Sequence, residues 1–124
     1  MIIFNTNNSI ILILYSYSYY YIIGLPHLPR IKELNLSSNN LGNEELTQLS
    51  LLPSLTSLDL SANKFTNFSI LPFLSSLLKL SIAYNPIKSL EDISENVPNL
   101  EYLDIKGNKL NNDISNNYNY LKQG

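Results

Sequence analysis

The pattern L-x-x-L-x-L-x-x-N-x-L occurs four times in succession, with other aliphatic or aromatic residues admitted at the leucine positions. It reads IKELNLSSNNL over Ile31–Leu41, LTSLDLSANKF over Leu55–Phe65, LLKLSIAYNPI over Leu77–Ile87 and LEYLDIKGNKL over Leu100–Leu110. The asparagines, Asn39, Asn63, Asn85 and Asn108, follow at steps of 24, 22 and 23 residues. A repeat this short cannot bury its apolar face alone, so stacked neighbours must share one continuous core.

Each fixed position has a physical reason. In L-x-L the side chains alternate, so Leu34/Leu36, Leu58/Leu60, Leu80/Ile82 and Leu103/Ile105 point inward while their neighbours point out. Burying each is worth about 1.5–3 kcal/mol, but only where the next repeat covers it. The asparagine falls where the chain leaves the strand. Its amide both donates and accepts, which suits turn backbone groups that lack a ladder partner, so four of them predict a buried structural ladder. Between strands the apolar residues recur every third position, through Phe65, Phe68, Leu71, Leu74, Leu77 and Leu80. That period predicts an extended or 3-10-like return path in place of an α-helix. A similar spacing runs through Ile87, Leu90 and Ile93, then skips one residue to Val97, Leu100 and Leu103. The first return differs: Leu41–Leu52 places Glu44 and Glu45 ahead of Leu46 and Leu49, as a short helix would. Pro53 and Pro98 stand two residues before Leu55 and Leu100 and help bring the chain back to the strand.

These motifs resemble the leucine-rich repeat superfamily, in its intracellular class with repeats of about 22 residues. The resemblance covers Ile31–Leu110. Ser89–Leu110, SLEDISENVPNLEYLDIKGNKL, is similar to the matching part of acidic leucine-rich nuclear phosphoproteins and of the spliceosomal leucine-rich A-prime protein. It is similar also to regulatory subunits of a Ser/Thr phosphatase and to ciliary leucine-rich proteins; the acidic tail of the nuclear phosphoproteins is absent here. The resemblance implies an α/β fold: a right-handed leucine-rich repeat solenoid with parallel strands on the concave face and 3-10 or short helical turns on the convex one. It also implies a protein that works by binding other proteins.

Three segments follow from this. Residues 28–110 hold the four repeats. Residues 1–27 begin with 23 residues free of Asp, Glu, Lys and Arg, including the apolar, tyrosine-rich run Ile10–Ile23. Three readings of that run stay open: a degenerate repeat built on Leu12 and Leu14 that caps the core, a stretch outside the native coding sequence, and a signal or membrane anchor. Against the last, the run is shorter than the ~20 residues a membrane-spanning helix needs, and no Lys or Arg precedes it. Residues 111–124 form a polar end rich in Asn, in which Tyr120 and Leu121 suit the start of a further, truncated repeat. Neither end has the polar form of a finished solenoid cap, so the chain reads as a piece of a longer array.

The outward strand positions form columns on the strand face: Glu33, Ser57, Lys79 and Tyr102, then Asn35, Asp59, Ser81 and Asp104. Ser38, Ala62, Tyr84 and Gly107 lie further along, with Lys106 beside them. From these we select Glu33, Asn35, Asp59, Lys79, Tyr84, Tyr102, Asp104 and Lys106 as the candidate partner-binding residues. Tyr84 and Tyr102 lead the set, because tyrosine offers large rigid contact area with a polar tip.

Chemistry has no foothold in this sequence. It lacks cysteine, which removes disulfides, thiolate metal ligands and thiol nucleophiles and fits an intracellular, reducing location. The one histidine, His27, sits in the turn-rich GLPHLP and has no second imidazole with which to hold a metal. Neither a nucleophile elbow nor a phosphate-binding glycine loop occurs. Asp59 and Asp104 belong to strands two repeats apart, about 10 Å on an open face, which is no setting for paired carboxylates. A net charge of -2 with 8 Lys and Arg supplies no basic stripe for nucleic acid. The expectation is therefore a non-enzymatic module without cofactor that binds another protein on its concave face, in the cytoplasm or nucleus. The alternatives are the ectodomain of a leucine-rich receptor and the regulatory segment of a larger enzyme. The sequons at Asn7, Asn35 and Asn67 read as chance matches in an Asn- and Ser-rich chain.

Overall fold

The computed structural model describes residues 2–6, 9–13, 30–110 and 122–123, with side-chain surroundings over 30–110. Four short strands stack in parallel, one per motif: β3 (Glu33–Asn35), β4 (Ser57–Asp59), β5 (Lys79–Ser81) and β6 (Tyr102–Asp104). The sheet continues at both ends. On one side β2 (Ser9–Ile13) pairs in parallel with β3, placing Leu12 opposite Leu34, and β1 (Ile2–Thr6) pairs antiparallel with β2. On the other, β7 (Lys122–Gln123) pairs in parallel with β6. Asn7, Leu14, His27, Tyr120 and Leu121, each of which carried an expectation above, lie outside the described residues.

Every inward position of the pattern is filled as the alternation requires. Leu34, Leu58, Leu80 and Leu103 stand in one buried row, and Leu36, Leu60 and Ile82 in the next. Ile105 is only partly buried. The return paths add three further residues each: Leu46, Leu49 and Leu52; Phe68, Leu71 and Leu74; Leu90, Ile93 and Val97.

The three-residue period has a direct cause in the backbone. Leu52 donates to the Leu49 carbonyl (3.0 Å), Leu71 to Phe68 (3.1 Å), Leu77 to Leu74 (3.3 Å), Ile93 to Leu90 (3.2 Å) and Leu100 to Val97 (3.3 Å). Each bond links an apolar residue to the apolar residue three before it, so 3-10-type turns carry successive side chains to the same face. Pro53 and Pro98 take the second position of two such turns, Leu52–Leu55 and Val97–Leu100, where a fixed φ is favourable.

The unequal steps between repeats are accounted for in the same way. The longest step holds a 3-10 helix, Asn43–Leu51, with two more residues between Leu41 and Leu46 than Phe65 and Phe68 have between them. Glu45 is buried there, and its carboxylate accepts the Gly42 amide at 3.0 Å. In the third return the skipped residue closes one α-helical turn, α1 (Ile93–Asn96), through Asn96 to Asp92 (3.0 Å) and Val97 to Ile93 (2.9 Å). Four residues per turn replace three, and the apolar side chains remain inward. No helix among the described residues is long and apolar enough to cross a membrane.

Candidate protein-binding face

The strand register sets out the predicted columns. Glu33, Ser57, Lys79 and Tyr102 are successive partners, as are Asn35, Asp59, Ser81 and Asp104. Glu33 and Lys79 are exposed and Tyr102 is half-buried. Successive members of a column, one per strand, stand roughly 4.8 Å apart. The result is a mixed-charge surface with the core leucines on the opposite side of the sheet.

The second column has a structural task that the pattern did not reveal. The Oδ1 of Asn35 accepts the Ser37 amide (2.9 Å) and the Ser37 hydroxyl (2.7 Å). The Oδ1 of Asp59 accepts the Ser61 amide (2.9 Å), and that of Asp104 the Lys106 amide (3.1 Å). These side chains start the turns that follow β3, β4 and β6, an Asx-turn role that satisfies an amide leaving the ladder. Recurrence of Asn or Asp at one repeat position was the available signal. One oxygen of each is therefore committed, and all three residues are half-buried.

Two selected residues stand elsewhere. Tyr84 and Lys106 lie beyond the strand ends, in the exit turns. Ser38, Ala62, Tyr84 and Gly107 all take left-handed backbone, with φ of 58°, 53°, 56° and 68°. They form a row along the rim of the sheet, held in register by bonds from Ser38 to the Ser61 carbonyl, Ala62 to Ala83 and Tyr84 to Lys106 (3.0, 2.8 and 2.7 Å). Only Gly107 gave a sequence hint of this conformation, which costs any other residue about 1–3 kcal/mol.

Behind the rim lies the asparagine ladder. Asn63 Oδ1 accepts the amides of Asn39 (3.0 Å) and Leu41 (2.9 Å), and its Nδ2 donates to the carbonyls of Leu36, Leu60 and Ser61. Asn85 repeats this with the amides of Asn63 and Phe65 and the carbonyls of Leu60, Ile82 and Ala83. Asn108 reaches back to the Ile87 amide and the Ile82 carbonyl, while Asn39 donates within its own repeat to Leu36 and Ser37. The side chains of Asn63, Asn85 and Asn108 thus join repeats by bonding across to backbone, and the amides of Asn63 and Asn85 are used at both their oxygen and their nitrogen. A second clamp on the outer side pairs Asn43 with Thr66: Thr66 N donates to Asn43 Oδ1 (2.9 Å) and Asn43 Nδ2 to the Thr66 hydroxyl (2.8 Å).

An open hollow of about 350 Å³ lies beside the rim, lined by Asn40, Gly42, Asn43, Glu44, Glu45 and Lys64. Its one buried carboxylate, Glu45, is already spent on the Gly42 amide. Among the described residues no three acidic, histidine or cysteine side chains come together as a metal site would require.

Comparison with known proteins agrees with this architecture. Two family models described as leucine-rich repeat match the chain, one over residues 27–44 and the other over 54–77 and 99–121. The chain is also similar to receptor like protein 21 of Arabidopsis thaliana, at 38% identity over 101 residues. That alignment takes in 68% of this chain and 10% of the relative, so the chain spans about a tenth of that protein's length.

Proposed function

Because the chain belongs to the leucine-rich repeat superfamily, whose repeats generally mediate protein–protein interaction, we propose that it is a non-catalytic module holding a partner protein on its strand face. The observation that carries this reading is the separation of roles in the register. Leu34, Leu58, Leu80 and Leu103 close the core from one side of the sheet, while Glu33, Ser57, Lys79 and Tyr102 line the other and bear no part of the core. Tyr102 is the aromatic anchor, and Glu33 and Lys79 supply the charge that orients the partner. The module takes no cofactor, and with a cysteine-free sequence it works inside the cell.

The test is capture of partners from native lysate by the full chain, beside a Lys79→Glu/Tyr102→Ala variant shown by circular dichroism to be folded. A protein retained by the wild type and lost by the variant is the expected result. Retention by both would move the binding surface off the strands. A second reading, a segment of a cell-surface receptor, is favoured by the name of the Arabidopsis relative. It predicts that the expressed protein enters the secretory pathway and shifts in mass on glycosidase treatment; an unshifted cytosolic protein supports the intracellular module.

A further inference from the structure

The exit turns carry a charge pattern that the strand face does not explain. Segments 61–66, 83–88 and 106–110 contain Lys64, Lys88, Lys106 and Lys109 and not one carboxylate, in a chain whose net charge is -2. Residues 89–101, on the return side, hold Glu91, Asp92, Glu95 and Glu101 and no base. All four lysines are exposed, and within the described residues none is ion-paired. The exit turns stack in register, since Lys64 N donates to Leu41 O (2.7 Å) and Lys109 N to Ile87 O (3.1 Å), so Lys64 and Lys109 fall at equivalent positions of the rim. The carboxylates of Asp59 and Asp104, at the strand ends, are turned onto backbone amides, and Glu44 and Glu45 share the hollow with Lys64 at the rim's first-repeat end.

Tyr84 stands in the middle of this rim. The left-handed position it occupies is filled elsewhere by Ser38, Ala62 and Gly107, all small. The residue is 64% exposed, and its ring lies across Gly107 so closely that a Cβ there would fall 2.8 Å from Cε1. The fold needs the left-handed turn, but nothing in the core needs a large aromatic at this point. The ring forms a flat apolar floor between two small neighbours, with lysines on either side.

We propose that this rim is a docking track for an extended acidic segment of the partner protein. The inference rests on the protein-binding reading above and names the chemistry of what is bound. Lys64 and Lys109 are two repeats apart, about 10 Å, which an extended chain covers in roughly three residues. The segment that fits therefore has acidic residues three apart and an apolar or aromatic side chain between them to rest on Tyr84. Nucleic acid fits less well, because its charge recurs at every nucleotide and meets the carboxylates of Asp59 and Asp104 at the strand ends, whereas a peptide sets neutral residues opposite them.

The experiment is fluorescence anisotropy of the full chain with a labelled ten-residue peptide rich in Asp and Glu around one central tyrosine, at low and at moderate salt. A peptide with Lys in place of the acids and a ten-nucleotide oligothymidine serve as the other probes. Saturable, salt-sensitive binding of the acidic peptide is expected. Tyr84→Ala should weaken it about tenfold, the scale of a truncated aromatic contact, and Lys64→Glu/Lys109→Glu should abolish it. Lys64→Gln/Lys109→Gln gives the intermediate loss if the reversal unfolds the chain. Absence of binding, equal binding by the lysine variants, or preference for oligothymidine overturns the proposal. The Lys79→Glu/Tyr102→Ala variant should bind the peptide as the wild type does. If the rim fails while that variant still loses its lysate partner, only the track is wrong; if it keeps the partner, the strand-face reading itself has failed.

Discussion

Asn63 and Gly107 show how differently single residues enter this fold. Asn63 is buried, and replacing it by Ala removes the acceptor for the Asn39 and Leu41 amides together with three donated bonds. Unsatisfied buried groups cost about 1–3 kcal/mol each, so Asn63→Ala should lower stability by about 3 kcal/mol in urea unfolding. Asn108→Ala, at a half-buried position, should cost about 1 kcal/mol. Gly107→Ala meets two penalties, left-handed backbone and the Tyr84 ring, and should destabilise by about 2 kcal/mol or more. Adding Tyr84→Ala should recover only the part due to overlap, which a double-mutant cycle would read as a coupling. The asparagines were legible in the sequence because one residue type recurs at one place. The left-handed row was not, because Ser38, Ala62 and Tyr84 occupy it against their intrinsic preference and only stacking against the next repeat holds them there.

At the scale of elements, the return paths tolerate variation that the strands do not. Three-residue turns, a nine-residue 3-10 helix and a single α-helical turn bring equivalent side chains to the same core. Deleting the exposed Glu95 turns the third return into the spacing of the second and should cost about 1 kcal/mol, the worth of a backbone hydrogen bond. Deleting Ser57 instead slips the register of β4, turns Leu58 to the wrong face and should abolish cooperative unfolding. Thermal melts of the two deletions compare these directly. The three-residue period made the return path readable, including its 3-10 character. The identity of the skip before Val97 was not readable, because a one-residue insertion fits a bulge, a loop or a helical turn until hydrogen bonds choose among them.

Across the whole molecule, each repeat supplies two things: a row of core leucines and a row of solvent-facing side chains that the core does not constrain. The first was legible almost completely, since burial imposes a repeating chemical type on Leu34, Leu58, Leu80 and Leu103. The candidate site was legible only as a set of positions. Glu33, Lys79 and Tyr102, and Asn35, Asp59 and Asp104, stand at the expected outward strand positions; the latter three also form turns, and Tyr84 and Lys106 belong to the rim. Residues free of the core carry no periodic constraint, so sequence alone has no means of sorting them.

Photo-crosslinking from single positions reads out whether a partner sits on the strand face. A benzophenone side chain placed at Ser57, midway along the first column, should capture the partner in native lysate; the same group at the exposed Ser94 on the return side should not. Crosslinks from Ser94 with none from Ser57 would contradict the account.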